Sequence, residues 1–161
     1  MLDTSQRRIL LVDDDAAVLR ASSMVLEHAG FRVTAVSDGA RAIAALDAAN
    51  DNPFCAIVSD IRMEGISGLD LLRAARERDP DVPVVMITGG PSLSTAIEAM
   101  HNGAHRYLMK PVPNWELVET VTRAALLSDL ARIEREARAI QGTADLAVGD
   151  REKLDHTLDR A

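Results

Sequence analysis

Short runs of β-branched and apolar residues alternate along most of this chain with longer stretches whose apolar positions recur at helical spacing. The pattern predicts strands at Ile9–Val12, Phe31–Ser37, Ala56–Ser59, Val84–Thr88 and Arg106–Met109. Helices are predicted at about residues 15–29, 39–48, 68–78, 91–101 and from 114 onward. Asp38-Gly39, Asn50-Asp51-Asn52-Pro53, Asp79-Pro80 and Asn102-Gly103 fall between these segments and supply turn and cap chemistry. The first, third and fourth strands (ILLV, AIV, VVMI) are continuously apolar, as strands covered on both faces must be. Five strand-helix repeats imply a parallel sheet with right-handed crossovers, a three-layer α/β domain over residues 7–125.

The last helix is too long for that domain. Asn114 is placed to cap it, no Gly or Pro interrupts it up to Gln141, and Gly142 is expected to stop it. Its early apolar positions Val118, Val121 and Ala125 share one face, suited to packing on the sheet. Trp115, in the first turn, is expected to anchor it. From Leu126 the stripe shifts: Leu126, Leu130, Ile133, Ala137 and Ile140 follow a 4-3-4-3 spacing, a short heptad seam. Asp129, Glu134 and Glu136 would face one another in a parallel homodimer, so an amphipathic linker is the plainer reading of residues 126–161. A second short helical pattern, Asp150–Ala161, ends without a cap, as if the chain led into a further, output domain.

Composition narrows the function classes. With 18 cationic against 25 acidic residues the formal charge is -7, which argues against a nucleic-acid surface in this chain. No run approaches the roughly eighteen apolar residues that a membrane span needs. The single cysteine, Cys55, permits no internal disulfide, reads as an inert core thiol, and makes the cytoplasm the expected compartment. All the cations but Lys110 and Lys153 are arginine.

In an open parallel sheet, ligands bind beyond the carboxyl ends of the strands, at the point where strand order reverses. Asp13-Asp14-Asp15 follow the first strand and Asp60 follows the third. Thr88 with Gly89-Gly90 closes the fourth strand, and Lys110-Pro111 the fifth. Three acidic side chains, a hydroxyl and an ammonium thus converge on one edge. Crowded carboxylates repel, so such a site raises a pKa or recruits a cation. Hard oxygen ligands suit Mg²⁺, which takes its remaining ligands from water and phosphate. With Mg²⁺ and Lys110 present, the acidic pocket is able to accept a phosphoryl group, with Asp60 as nucleophile and Thr88 donating to a phosphoryl oxygen. Asp15 reads instead as the cap of the first helix.

The segments ILLVDDD, IVSDIRMEGISGLDLL, VVMITGG and GAHRYLMKP resemble, in order and spacing, the receiver domain of two-component response regulators. The resemblance covers residues 7–125 and implies a flavodoxin-like (βα)5 doubly wound sheet of order 2-1-3-4-5 with an extended C-terminal helix. It implies that Asp13 and Asp14 are the acidic metal pair, that Asp60 is the phosphoacceptor, and that the Arg62 backbone carbonyl completes the Mg²⁺ ligands. Thr88 matches the family's switch hydroxyl, Tyr107 its switch aromatic, and Lys110 its lysine before a cis proline, here Pro111. Two positions depart from the pattern: Glu64 stands where Pro is usual, predicting a less rigid loop after Asp60, and Gly90 stands where larger side chains are common.

The resemblance implies a histidine kinase or phosphotransfer protein as donor and an output domain as recipient of the signal. Within this chain it implies no enzyme beyond self-phosphorylation and hydrolysis. A homodimer through helix five or through the Leu126–Ile140 seam stays open. DREKLDHTLDRA is weakly similar to the lead-in of cyclic-di-GMP phosphodiesterase domains of the EAL type. The rival class is a phosphohydrolase of the haloacid dehalogenase type, with Asp13-x-Asp15 as its first motif, but position 17 is Ala17 and Asp60 has no place in that scheme. A flavin or nucleotide domain lacks its Gly-rich phosphate loop after the first strand. His28, His101 and His105 read as surface residues.

Overall fold

The computed structural model describes residues 7–158, with side chains described up to residue 143. Five strands, β1 (Arg8–Val12), β2 (Arg32–Val36), β3 (Ala56–Asp60), β4 (Val84–Thr88) and β5 (Arg106–Met109), alternate with five helices. The helices are α1 (Ala16–His28), α2 (Gly39–Asp47), α3 (Gly68–Arg78), α4 (Leu93–His101) and α5 (Asn114–Leu158). The sheet is parallel with order β2-β1-β3-β4-β5, as the resemblance implied. The central strands β3 and β4 are buried along their whole length, whereas β2, at one edge, is half-exposed. That difference is why the apolar runs are continuous in the middle of the sheet and broken at its side.

Two cores lie on opposite faces. One gathers Leu10, Ile57, Leu71, Leu72 and Met86 between the sheet and the α2–α4 side. The other gathers Ile9, Val58, Val85, Leu117 and Val121 beneath α1 and α5. The first four helix starts have local causes. Asp15 accepts from the Ala17 and Val18 N–H groups, Asp38 from Arg41, and Ser92 from Thr95. Ser67 and Asp70 form a reciprocal capping box at α3, a Ser-x-x-Asp signature present in the sequence. Gly103 takes φ +83 directly after α4, a conformation that side-chain-bearing residues resist.

The chain divides into two compact units, the first ending at Ser128 and the second beginning at Asp129. Four expectations are corrected. Gly142 does not end the last helix: α5 continues through it to Leu158, and Gly142 is not among the glycines with positive φ. An interior glycine weakens a helix by about 1 kcal/mol but does not stop it unless the backbone turns left-handed. The pattern at Asp150–Ala161 is therefore no separate helix as far as Leu158, and residues 159–161 lie outside the described residues. Trp115 is 68% exposed and anchors nothing; Leu117, Val121, Ala124 and Ala125 form the buried face. Two residues before Leu117 means about 200° away around the helix, on the far side. Cys55 is only half-buried, just before β3 begins.

Candidate functional site

β1 and β3 are the neighbours between which strand order reverses; Asp13 follows the last residue of β1, and Asp60 is the last residue of β3. That places Asp60 one residue further into the sheet than the sequence pattern suggested. Its backbone is fixed from two directions. The Ile61 N–H donates to Ile87 O at 2.9 Å, and the Gly68 N–H donates to Ile61 O at 2.9 Å. Gly68 is needed there, because a Cβ would lie 2.8 Å from Ile61 Cα and closer still to the Asp60 carbonyl oxygen. Further along the same loop, Ile66 packs so tightly on Gly39 at the start of α2 that a Cβ would sit 2.7 Å from its side chain. Despite Glu64, the loop after Asp60 is held at both of these points.

Asp13 and Asp60 are 5% and 7% exposed, and Lys110 comes between them from the end of β5. The Lys110 ammonium donates to Asp13 Oδ2 at 2.7 Å and to Asp60 Oδ2 at 3.0 Å. The other oxygen of each carboxylate is held by a backbone N–H two residues on: Asp15 N–H to Asp13 Oδ1 at 2.9 Å, Arg62 N–H to Asp60 Oδ1 at 3.1 Å. Each acid is thus oriented by one amide and one shared ammonium. Burial disfavours the charge on Lys110, but the hydrogen bonds to Asp13 and Asp60 more than offset it, so its pKa is held above the ordinary lysine value. The Lys110–Pro111 peptide is cis.

Asp14 is exposed and stands beside this pair; carboxylate oxygens of Asp13, Asp14 and Asp60 lie within 4.8 Å of one another. Among the described residues no other group of three His, Cys, Asp or Glu side chains converges this way. Three hard, anionic oxygens with two already oriented fit the demands of Mg²⁺. The donor set therefore suits the metal implied by the sequence. Asp15 does not join it, because its carboxylate is turned to the α1 amides. That also removes the paired Asp13-x-Asp15 motif on which the phosphohydrolase reading depends.

Thr88 is 1% exposed at the end of β4. Its hydroxyl oxygen accepts from the Gly90 N–H at 3.1 Å, so it is turned along the β4–α4 loop. Tyr107 is half-buried on β5, and its hydroxyl is bound at the start of α4 by Thr95 and Ser92 rather than left in water. Arg62 places its amide at Asp60 and its guanidinium over Gly90, where a Cβ would meet Cζ at 2.6 Å. His28 and His101 are exposed at helix ends. His105 is half-buried, and burial, then the nearby Arg106 charge, pushes its pKa down. Asp13, Asp14, Asp60 and Lys110 therefore come together, Thr88 lies on the neighbouring strand end, and Tyr107 lies apart at the α4 N-terminus.

Sequence reasoning did not single out Gly68, Thr95 or the stacking of Arg62 on Gly90. The first two carry a local hint, a small residue at a helix start and a hydroxyl one turn into a helix, but neither hint names the distant partner. An apolar-walled cleft containing Val18, Leu19 and Val112 runs between α1 and α5 and reaches Asp13, Asp60 and Lys110. No helix among the described residues is long and apolar enough to cross a membrane.

Residues 9–122 match the family model of the response regulator receiver domain. The C4-dicarboxylate transport transcriptional regulatory protein DctD of Pseudomonas aeruginosa is 36% identical over 151 residues, covering 93% of this chain and 30% of its own. The transcriptional regulatory protein FixJ of Bradyrhizobium diazoefficiens is 36% identical over 121 residues, covering 75% of this chain and 58% of its own. The chain thus spans less than two thirds of these relatives. Among solved structures, a CheY-like receiver domain protein from Methanospirillum hungatei superposes with a TM-score of 0.72 at 29% identity, over 78% of this chain and 98% of that one. A structure described as adenylate cyclase from Rhodopirellula baltica gives a TM-score of 0.76 at 32% identity, over 83% and 97%.

Proposed function

This chain belongs to the response regulator receiver domain family, and from that premise we propose that it is a phosphorylation switch whose acceptor is Asp60. Asp60 Oδ attacks the phosphorus of a phosphohistidine on a histidine kinase or phosphotransfer protein. The P–N bond breaks, the new P–O bond makes an aspartyl phosphate, and the departing imidazole nitrogen takes up a proton. The observation that carries this reading is the fixed, buried Asp60 carboxylate with the Lys110 ammonium 3.0 Å away and Asp13 and Asp14 beside it. Asp13, Asp14 and Asp60, with the Arg62 backbone carbonyl, would hold Mg²⁺. The metal would neutralise charge on the acids and the incoming phosphoryl oxygens. Lys110 offsets a further phosphoryl oxygen, and the Arg62 N–H keeps the acceptor carboxylate oriented.

The added charge draws the Thr88 hydroxyl away from Gly90 and toward the phosphoryl group, and Tyr107 turns into the space it leaves. Those two movements repack the surface formed by α4, β5 and α5, where Leu93, Ile97, Met100 and Met109 are exposed. Residues 7–125 act as the receiver, and residues 126–161 act as a helical linker that passes the change to an output domain in the cytoplasm. An EAL-type phosphodiesterase is one such output. A homodimer through α5 or through its Leu126–Ile140 seam is the assembly to examine. The chemistry assigned to the described residues is self-phosphorylation and hydrolysis of the aspartyl phosphate.

The test is intact mass after incubation with Mg²⁺ and acetyl phosphate. One phosphoryl group should be gained, and none in Asp60→Asn. Multiple turnover that survives Asp60→Asn would sink the reading in favour of a phosphohydrolase.

A further inference from the structure

The half-buried Tyr107 ring packs against the core on the α2–α4 side of the sheet, and its hydroxyl meets two protein partners. Tyr107 Oη lies 3.0 Å from Thr95 Oγ1 and accepts from the Ser92 N–H at 3.4 Å. The Thr95 hydroxyl also lies 2.9 Å from Ser92 Oγ and 3.1 Å from the Ser92 carbonyl oxygen, so it joins the tyrosine to the helix cap. Tyr107 thus shares a hydroxyl–hydroxyl hydrogen bond with Thr95 and accepts from the Ser92 N–H. Ser92 is meanwhile the N-cap of α4, accepting from the Thr95 N–H at 3.2 Å. The tyrosine is tied into the same few atoms that start the helix.

The other end of this assembly is the β4–α4 loop. Thr88 Oγ1 accepts from the Gly90 N–H, and two residues later the Ser92 N–H reaches Tyr107. One five-residue segment, Thr88 to Ser92, thus offers amides to both residues read above as the moving parts. When Thr88 abandons Gly90, the backbone that presents Ser92 to Tyr107 loses one of its fixed points.

We propose that Thr95 is a positioning residue that latches Tyr107 in the resting arrangement and thereby sets how much phosphorylation is needed to move it. The proposal rests on the reading of Thr88 and Tyr107 as the switch. The Thr95 hydroxyl is a hydrogen-bond partner that Tyr107 keeps only while it stays at the α4 N-terminus. Removing it weakens the resting arrangement without touching Asp60, Lys110 or the acidic cluster. Any ligand that selects the activated arrangement must then bind more tightly by the factor lost from the resting one.

Thr95→Val keeps the shape of the side chain and the Ser92 cap, and it deletes the hydroxyl. The experiment titrates the full chain with beryllofluoride in the presence of Mg²⁺ and integrates the bound ¹⁹F signal, with the Tm measured alongside. The apparent Kd of Thr95→Val should fall about threefold to tenfold relative to wild type, the worth of one hydrogen bond. Thr95→Ser should restore the wild-type Kd, and in a Tyr107→Phe background Thr95→Val should have no further effect. An unchanged or weaker Kd in Thr95→Val would overturn the latch whatever the Tm, since a purely structural role moves Tm alone. Failure of the wild-type chain to bind beryllofluoride at all would overturn the switch reading itself, and the latch with it. If Thr95→Val does not fold, the comparison of Tyr107→Phe with Thr95→Ser decides: equal Kd values in these two and in the wild type overturn the latch, and a tighter Kd in Tyr107→Phe alone supports it.

Discussion

Replacing Lys110 by Met keeps the length and apolar stem of the side chain and removes its charge. In the wild type the ammonium lies 2.7 Å from Asp13 and 3.0 Å from Asp60. Removing one partner from a buried pair costs about 3–5 kcal/mol. The Lys110 side chain is 23% exposed, so screening brings the expected loss down to roughly 2–3 kcal/mol. A second route gives a similar figure. Two bare carboxylates at the 4.8 Å limit of this cluster repel by roughly 3 kcal/mol at an effective dielectric constant of about 20. The assay is urea unfolding of wild type and Lys110→Met, in EDTA and in millimolar Mg²⁺. In EDTA the variant should be the less stable by the amount above, and Mg²⁺ should close much of the gap, because a divalent ion bound only by the folded state replaces the missing charge. The pH dependence has a definite sign. The folded-state pKa of Lys110 is raised, so its pairing stabilises fully below the unfolded lysine value of about 10.4. The contribution is lost as pH rises through the higher folded-state value. Wild type should therefore lose stability in that alkaline window by more than Lys110→Met does. Equal stability of the two proteins in EDTA at pH 7 would refute the electrostatic account of the site, as would equal alkaline losses.

Two glycines near Asp60 should respond differently to alanine. At Gly68 the added Cβ meets the backbone of Asp60 and Ile61, which cannot move aside; Gly68→Ala should destabilise by about 1–3 kcal/mol in urea unfolding and slow phosphorylation by acetyl phosphate. At Gly90 the obstacle is the end of the exposed Arg62 side chain. Gly90→Ala should leave stability within about 0.5 kcal/mol and shift the Arg62 guanidinium resonances in NMR spectra.

The strands and the acidic site were legible because their signals are local or come in a fixed order. Continuous apolar runs are what strands buried on both faces require, and β3 and β4 are buried at every position. A carboxylate at the end of such a strand has nowhere to point but the edge of the sheet, so Asp13 and Asp60 could be placed without coordinates. Lys110 followed by the same logic from β5. The helix caps Asp15 and Asp38 sit within three residues of the amides they bind, and Asp15 reads correctly as a cap for that reason; Asn114, expected to cap α5, is instead its first residue.

What the sequence withheld depends on rotation and approach between elements distant in the chain. Apolar spacing could not say that α5 turns Trp115 outward and Leu117 inward, because both residues are apolar and only packing on the sheet chooses between them. Nor could Gly142 be recognised as an interior residue of α5, since a glycine that ends a helix and one that merely weakens it look alike until φ is known. Thr95 and Tyr107 are twelve residues apart, on a helix and a strand, and only the pairing of β4 with β5 brings the two hydroxyls within 3.0 Å. Gly68 has the same character: its side chain is missing because the Asp60 carbonyl occupies the space. Residue types and their order determined which groups reach the edge of the sheet. Tertiary structure decided which of them touch, because a hydrogen bond depends on tenths of an ångström while a hydrophobic pattern depends only on which side faces water.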